Sequence, residues 1–582
     1  MTEEVKVNHP KKTLLRLWSY LKKHRFKMII VTIMIIIMTL TSVLGPLLMS
    51  YILDDFIGSG KIEGFIWIIL LLGFIYFINS LFDFLANFIM VKVSEDTLYN
   101  IRKDLFNHME NLSLNFFDTN KKGDLMSRFT NDITIISNAL SEAAIQIISS
   151  TITLIGVTII MFAFNPTLAI TTIVPVPLLF VLALLIGKKA GNYFLDQQNN
   201  LGKLNSYAEE TITGMKVVKS YVKEKEVLLD FDKYNDDLKK SVVKAQLYAN
   251  LIMPANLIVT NIGNILLIAV GSFMIINGNT TIGGLLAFLT YASMFRQPIN
   301  QLASLFASVN EGLAGAERVF EVIDTEIDIK EKTEAINLER INGNVVLENV
   351  TFGYTDDKVV LKNINLEVKK GQTIAIVGKT GAGKTTIANL LPRFYDVNSG
   401  TIKIDGIDIK DVTLKSLRQK IDIVLQDTYL FKGTIKDNIS YGKMNATIDE
   451  VKKASQKACA HSFIRRLPNG YDSLVLEEGS NLSQGERQLI SIARAILADP
   501  DILILDEATS NIDTKTELEI NRGMKELLKG RTSFVIAHRL STIRDADEIV
   551  VIDSGKIVER GNHHELLQKK GYYYKLYKGQ FE

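Results

Sequence analysis

The sequence predicts a polytopic α-helical membrane domain of six transmembrane helices, followed by an α/β domain built around a phosphate-binding loop. Three observations carry this reading. Long apolar runs recur six times before residue 310 and give way afterwards to the alternation of a soluble α/β domain. The stretch "TIAIVGKTGAGKTTIANLL", Thr373 to Leu391, sets G-x-x-x-x-G-K-T between a β-branched strand and a helix. "DILILDEATS", from Asp501, is an apolar strand that ends in two carboxylates, Asp506 and Glu507. With 582 residues the chain has room for several domains. We expect an interfacial helix over 1–27, the membrane domain over 28–320, a linker over 321–339 and the α/β domain over 340–582.

The six runs begin near Met28, Phe65, Ala143, Leu168, Leu251 and Ile282. Runs of this kind inside a soluble protein would have to be surrounded on every side, so a lipid bilayer is the expected partner. The Met28 run is too long for a signal-peptide core and no small-residue cleavage site follows it, so it is expected to remain as a span. Ahead of it, "LLRLWSYLKKHRFK" sets Leu14, Leu17, Trp18 and Leu21 at helical spacing among cations, the pattern of a helix lying in the headgroup layer.

The connections after the first, third and fifth runs contain one cation, Lys61, whereas 91–132 and 188–247 are rich in Lys and Arg. Cation-rich loops face the cytoplasm, which places both chain ends there, at the cytoplasmic membrane. The two long inner connections read as helical extensions that break near Gly123 and Gly214. Their tips are candidates for docking on another domain, on a surface near Gln426.

Composition limits the partners. A formal net charge of +2 gives no footing for a nucleic-acid partner recognised by bulk charge. The single Cys459 excludes an internal disulfide and a cysteine-rich metal site.

In the loop from Gly378 to Thr385, glycines let backbone N–H groups curl round an anion, and the helix start adds partial positive charge. Lys384 reaches the β- and γ-phosphates, and Thr385 offers its hydroxyl to Mg²⁺. Asp506 is placed for the Mg²⁺ shell and Glu507 for the attacking water, because phosphoryl transfer depends on positioning and charge neutralisation.

Together with "LSQGE" at 482–486 and His538, these motifs resemble the nucleotide-binding domain of ATP-binding cassette (ABC) transporters. The likeness runs through 340–570, and the six-span half resembles the membrane domain of exporters in that family. The resemblance implies an ABC-type ATPase fold with ATP and Mg²⁺ as cofactors. Gly378, Lys379, Thr380, Gly381, Ala382, Gly383, Lys384, Thr385 and Thr386 would cradle the nucleotide. Tyr354, in "VTFGYTDD", matches the aromatic that stacks on adenine. Gln426, ending "IDIVLQ", matches the glutamine that senses the γ-phosphate and Mg²⁺. His538 resembles the switch histidine, and Asp513 the aspartate of the loop joining two sites. Glu477 resembles the acid of a transmission loop, although Leu476 stands where the family usually has glycine.

In this family two cassettes pair head to tail, so Ser483 and Gly485 of the signature would act on a partner's ATP. One chain with one cassette and six spans is then a half-transporter. The usual signature is L-S-G-G-Q, whereas this chain has Gln484 and Glu486 in place of the first glycine and the glutamine. Intact Lys384, Asp506, Glu507 and His538 beside an altered signature resemble one subunit of heterodimeric bacterial multidrug exporters. A heterodimer is favoured over a homodimer that tolerates Gln484.

The expected function is ATP-driven export of amphipathic or hydrophobic compounds. Lipid flipping, peptide export and a nucleotide-gated channel or regulator are the alternatives, and the presence of Glu507 speaks against the last. Polar groups inside apolar runs are costly and usually face protein or a cavity. Arg296, roughly 21 Å along the sixth run, is therefore a candidate for the transport path. Asp83, Asn87, Asn256, Asn261 and Asn264 are further candidates.

Overall fold

The computed structural model describes residues 8–57, 63–355, 357–425, 428–506, 513–536 and 543–581. The chain folds as two units. One comprises Met1–Glu110 with Lys122–Thr325, the other Asn111–Lys121 with Glu326–Glu582.

The first unit is helical throughout. Among the described residues five continuous helical stretches are long and apolar enough to cross a membrane: Pro10–Ile57, Phe65–Asn111, Lys122–Phe164, Pro166–Thr213 and Glu224–Ile276. The sixth run opens the helix Ile282–Asp324. It is less apolar because Gly283, Gly284, Thr290, Ser293 and Arg296 interrupt it, and its Phe288, Tyr291 and Ala292 face protein and are fully buried. In contrast, the most apolar window of Phe65–Asn111 has none of its residues buried within the chain, and lipid is what covers such a surface.

Small residues let the helices approach. A Cβ on Gly271 would lie 2.4 Å from Leu285 Cδ1, the close packing that membrane helices use where no hydrophobic effect separates them from lipid. Asp54 accepts from Thr281 Oγ1 at 2.6 Å and from the Gly283 N–H at 2.9 Å. It thereby satisfies donors at the start of the last helix, which would otherwise be orphaned in a poorly solvated place.

The helix Val176–Thr213, which continues the fourth run, lies beside Glu224–Asn250, with Tyr193 stacked on Tyr248 at 5.0 Å. They are joined by the short helix Met215–Ser220, and Gly214 marks the break. Gly123 does not mark one, because it lies inside the helix Lys122–Ser127. The chain turns instead at Asn120, which leaves the helical region at φ −102, ψ 137.

The second unit holds twelve strands among the described residues. Its larger sheet has the order β12 (Lys556–Gly561), β11 (Glu548–Asp553), β3 (Thr373–Val377), β10 (Thr532–Ile536), β9 (Ile502–Asp506), β6 (Ile421–Val424). Only β12 runs antiparallel. The inner strands are apolar along their length because both faces are covered, one by helices such as Gln484–Ala498 and the other by the helix Lys384–Leu390 and the second sheet. A second sheet orders β2 (Leu361–Val368), β1 (Val345–Phe352), β4 (Ser399–Ile404) and β5 (Ile407–Asp408). A short pair joins β7 (Gly433–Thr434) to β8 (Leu474–Val475). The segment Glu326–Glu339 is held by this unit: Leu414 N donates to Glu331 Oε1 at 2.7 Å, and Ile336 N to Asp411 O at 2.8 Å.

Candidate functional site

The site is set by where three parallel strands end. Ile536 of β10 lies opposite Ile376 of β3 on one side and Asp506 of β9 on the other. The carboxyl ends are therefore level, and the crevice beyond such ends is where open α/β sheets bind ligands. From β3 the chain enters the glycine loop, and from β9 it delivers Asp506. Glu507 and His538 follow β9 and β10 in sequence. Both lie outside the described residues, as does Gln426.

The glycines of the loop answer to specific contacts. A Cβ on Gly378 would meet Ile552 O at 2.2 Å, and one on Gly383 would meet Leu361 Cδ2 at 2.6 Å. Gly381 and Gly383 have φ of +80° and +106°, which side chains rarely adopt. Lys379, Thr380, Gly381 and Thr385 are exposed at the mouth, whereas Ala382, Gly383, Lys384 and Thr386 are buried beneath it.

Lys384 curls back under the loop and donates to Gly378 O at 2.8 Å and Lys379 O at 3.1 Å. Burial pushes its ammonium pKa down, and Asp506 opposes that shift. Among the described residues the hydrogen-bond partners of this buried cation are two neutral carbonyls of its own loop, and a polyphosphate is a ligand that suits such a group. The Thr385 hydroxyl and the Asp506 carboxylate form a hard oxygen set of the kind Mg²⁺ takes. The residues present thus fit both ATP and its metal.

Tyr354 stands beside this loop. Its hydroxyl donates to Thr386 Oγ1 at 3.3 Å, and its ring meets Tyr395 edge-on at 5.1 Å. Tyr395 in turn bonds Asp118, on the short helix Leu114–Thr119 of the first tip, and Ser113 Oγ donates to Asp328 Oδ2 at 2.9 Å. Sequence reading missed Tyr395. Its only signal is an aromatic placed soon after the loop helix, and its partner is almost 280 residues away.

The signature turn starts the helix Gln484–Ala498. Ser483 is its N-cap, and Glu486 closes a capping box: Ser483 N donates to Glu486 Oε2 at 2.9 Å and Ser483 Oγ to the same oxygen at 2.8 Å. Gly485 is buried, while Ser483 and Gln484 are exposed. Gln484 lines a cleft of about 300 Å³ with Thr428, Tyr429, Glu478, Ser480, Arg487 and Gln488. Asp513 caps the helix Thr514–Leu528 and accepts from Thr516 N at 3.0 Å, a bond that holds its carboxyl below the usual range.

In the membrane unit the polar candidates separate into two sets. Arg296 is buried and donates to Asn264 Oδ1 at 2.8 Å, and the Asn256 amide oxygen is buried with no partner among the described residues. Asp83 and Asn87 bond each other along one helix, and both they and Asn261 are exposed on the chain.

Comparison with known proteins agrees with this geometry. Residues 28–299 match the family described as ABC transporter transmembrane region, and residues 361–510 the one described as ABC transporter. The chain is 43% identical to the uncharacterized ABC transporter ATP-binding protein YfiC of Bacillus subtilis, over 100% of this chain and 96% of that protein. It is 40% identical to the ATP-dependent lipid A-core flippase of Syntrophus aciditrophicus, over 94% and 91%. Among solved structures it resembles a bacterial Atm1-family ABC exporter with ATP bound, with a TM-score of 0.78 and 31% identity over 96% and 98% of the two chains. The chain therefore belongs to the ABC transporter family, as an exporter-type half-transporter that couples hydrolysis of ATP, with Mg²⁺, to movement of a substrate across a membrane.

Proposed function

We propose that this chain exports amphipathic or hydrophobic compounds as one half of a dimer, with both termini and the cassette on the cytoplasmic side of the cell membrane. Tyr354 stacks on adenine, Gly378 to Thr386 wrap the phosphates, and Lys384 neutralises them. Thr385, Gln426 and Asp506 hold Mg²⁺, which supplies charge neutralisation when bound. Glu507 orients water and His538 contacts the γ-phosphate.

The single observation that carries the dimer is the signature turn. Ser483 and Gln484 are exposed on a helix start that has no nucleotide of its own to hold. A partner's phosphate is the ligand that suits it. The second tip adds support, since Ile212, Val217, Tyr221 and Val222 are each more than 60% exposed there. An apolar tip of this kind fits a groove on a partner's cassette.

A heterodimer is favoured by the Ser483–Glu486 box. It ties up the serine hydroxyl and sets a carboxylate beside it, so a partner's γ-phosphate approaching that hydroxyl would meet like charge on closure over the second site. Closure over this chain's own loop uses the partner's signature and escapes that cost. ATP then shifts a two-state equilibrium toward the closed pair, and hydrolysis releases it. Asp118, Tyr395 and Tyr354 offer a route from the nucleotide to the first tip.

A lipid substrate is the second reading, favoured by the likeness to a lipid A-core flippase. ATPase activity of the reconstituted complex across a panel of drugs, lipids and peptides tests the substrate class. Stimulation confined to peptides would overturn the amphiphile reading.

A further inference from the structure

The helix Pro10–Leu21 has two apolar faces, and only one of them is used. Thr13, Leu17 and Leu21 are buried within the first unit. On that side Tyr20 stacks on Phe320 at 6.1 Å and donates to Asp104 at 2.8 Å. Leu14, Leu15 and Trp18, at 57%, 69% and 52% exposed, form the other face. No acid occurs between His9 and Leu53, whereas Lys11, Lys12, Lys22, Lys23 and Arg25 flank the bare face and are all exposed. The first span, Arg25–Tyr51, starts only three residues after the helix ends. Chain continuity therefore keeps this helix close to the end of the first span.

The helix is also tied to the last membrane helix, Ile282–Asp324. Glu317 accepts from Asn8 N at 2.9 Å and His9 N at 2.8 Å, so a carboxylate from a remote part of the chain caps the positive end of the helix. Arg16 pairs with Asp324 and lies over the Phe320 ring at 4.4 Å. Lys12 reaches the same Asp324 at 3.8 Å while 75% exposed. An exposed pair of that length contributes little in water and is easily traded for another anion.

We propose that this helix reads anionic lipid in the leaflet from which the first span departs, and passes the reading to the last membrane helix through Glu317 and Asp324. Leu14, Leu15 and Trp18 enter the boundary of the acyl chains, and Lys11, Lys12, Lys22 and Lys23 take lipid phosphates. Headgroups that draw Lys12 outward compete with Asp324 for it. Lipid charge thereby changes the tie between the helix and the end of the sixth span, independently of which substrate the transporter carries.

The chain has two tryptophans, Trp18 and Trp67, so W67F leaves Trp18 as the sole reporter. The full-length variant is reconstituted into phosphatidylcholine vesicles, with or without phosphatidylglycerol, using acyl chains brominated near the headgroup. Trp18 emission should be quenched severalfold more with phosphatidylglycerol. High salt should reverse that excess, and joint replacement of Lys11, Lys12, Lys22 and Lys23 by Gln should abolish it. Absence of quenching in either lipid overturns insertion, and equal quenching in both overturns the charge reading. For the tie, E317Q should keep the quenching and lose the dependence of ATPase rate on phosphatidylglycerol. A rate that still follows lipid charge in E317Q and in D324N overturns the coupling.

Discussion

Ser483 and Glu486 satisfy each other at the mouth of the signature helix. The hydroxyl donates to Glu486 Oε2 at 2.8 Å, and the Glu486 N–H returns to Ser483 Oγ at 3.3 Å. The box stabilises the helix start by about 1 kcal/mol, and it occupies the donor that a partner's phosphate would take in the proposed dimer. Glu486→Gln retains a side-chain carbonyl for the cap and removes the charge. It should tighten ATP at the site this signature closes by roughly fivefold to tenfold, equivalent to about 1–1.4 kcal/mol. Gln484→Gly should add to this effect by clearing the approach. Nucleotide titration of the assembled dimer checks both, and unchanged affinity in the double variant would remove the carboxylate from the argument.

Tyr395→Phe removes the bond to Asp118 and keeps the ring against Tyr354. A hydrogen bond to a charged group contributes about 1.5–3 kcal/mol, so loss of that bond should uncouple transport from hydrolysis. ATPase should stay near the parental rate while substrate movement per ATP falls severalfold. Equal loss of both would show instead that Tyr395 serves only the fold.

Arg296→Ala leaves Asn264 unpartnered and removes a buried cation from the sixth run. If this position faces substrate, half-maximal stimulation of ATPase by an amphiphile should shift by about tenfold, with basal turnover retained, the scale of a lost charged contact. Arg296→Lys should recover part of the shift. A lower melting temperature with unaltered stimulation would assign Arg296 to helix packing.

His563 is buried against Tyr573, with Nδ1 2.7 Å from the hydroxyl. Burial, then His564 and Arg544, push its pKa below the ordinary value. A depressed histidine contributes stability that is complete above its unfolded value, about 6.5, and is lost as pH falls through the folded value. Protection against hydrogen exchange over Tyr572–Phe581, relative to the intrinsic rate at each pH, should therefore fall between about pH 7 and about pH 5, and His563→Phe should flatten that response.

Much of this was legible in the chain because the signals are local. The glycine loop, the strand into Asp506 and the apolar runs each specify their element within about twenty residues. At Gly378 and Gly383 the structure adds a reason that the spacing did not carry, since Ile552 O and Leu361 Cδ2, remote in sequence, leave no room there for a side chain. Pairings across long separations were not legible. Nothing in "NFFDTN" announces that Asp118 meets Tyr395, nor does "NEGLAGAER" reveal that Glu317 caps a helix more than 300 residues earlier. Nor did the sixth run show which of its faces meets protein, the face on which Phe288 and Tyr291 are buried. Gly123 was misread as a break: it lies in the first turn of Lys122–Ser127, just after the real break at Asn120.

The most direct test of the account is the ATPase rate of this chain in lipid, purified alone and with a half-transporter whose signature is intact but whose catalytic glutamate is missing. The account predicts low turnover alone, amphiphile-stimulated turnover with the partner, and loss of most of that turnover on Glu507→Gln while ATP stays bound in a closed pair. Robust stimulated turnover from the chain alone, with both sites working equally, would contradict it.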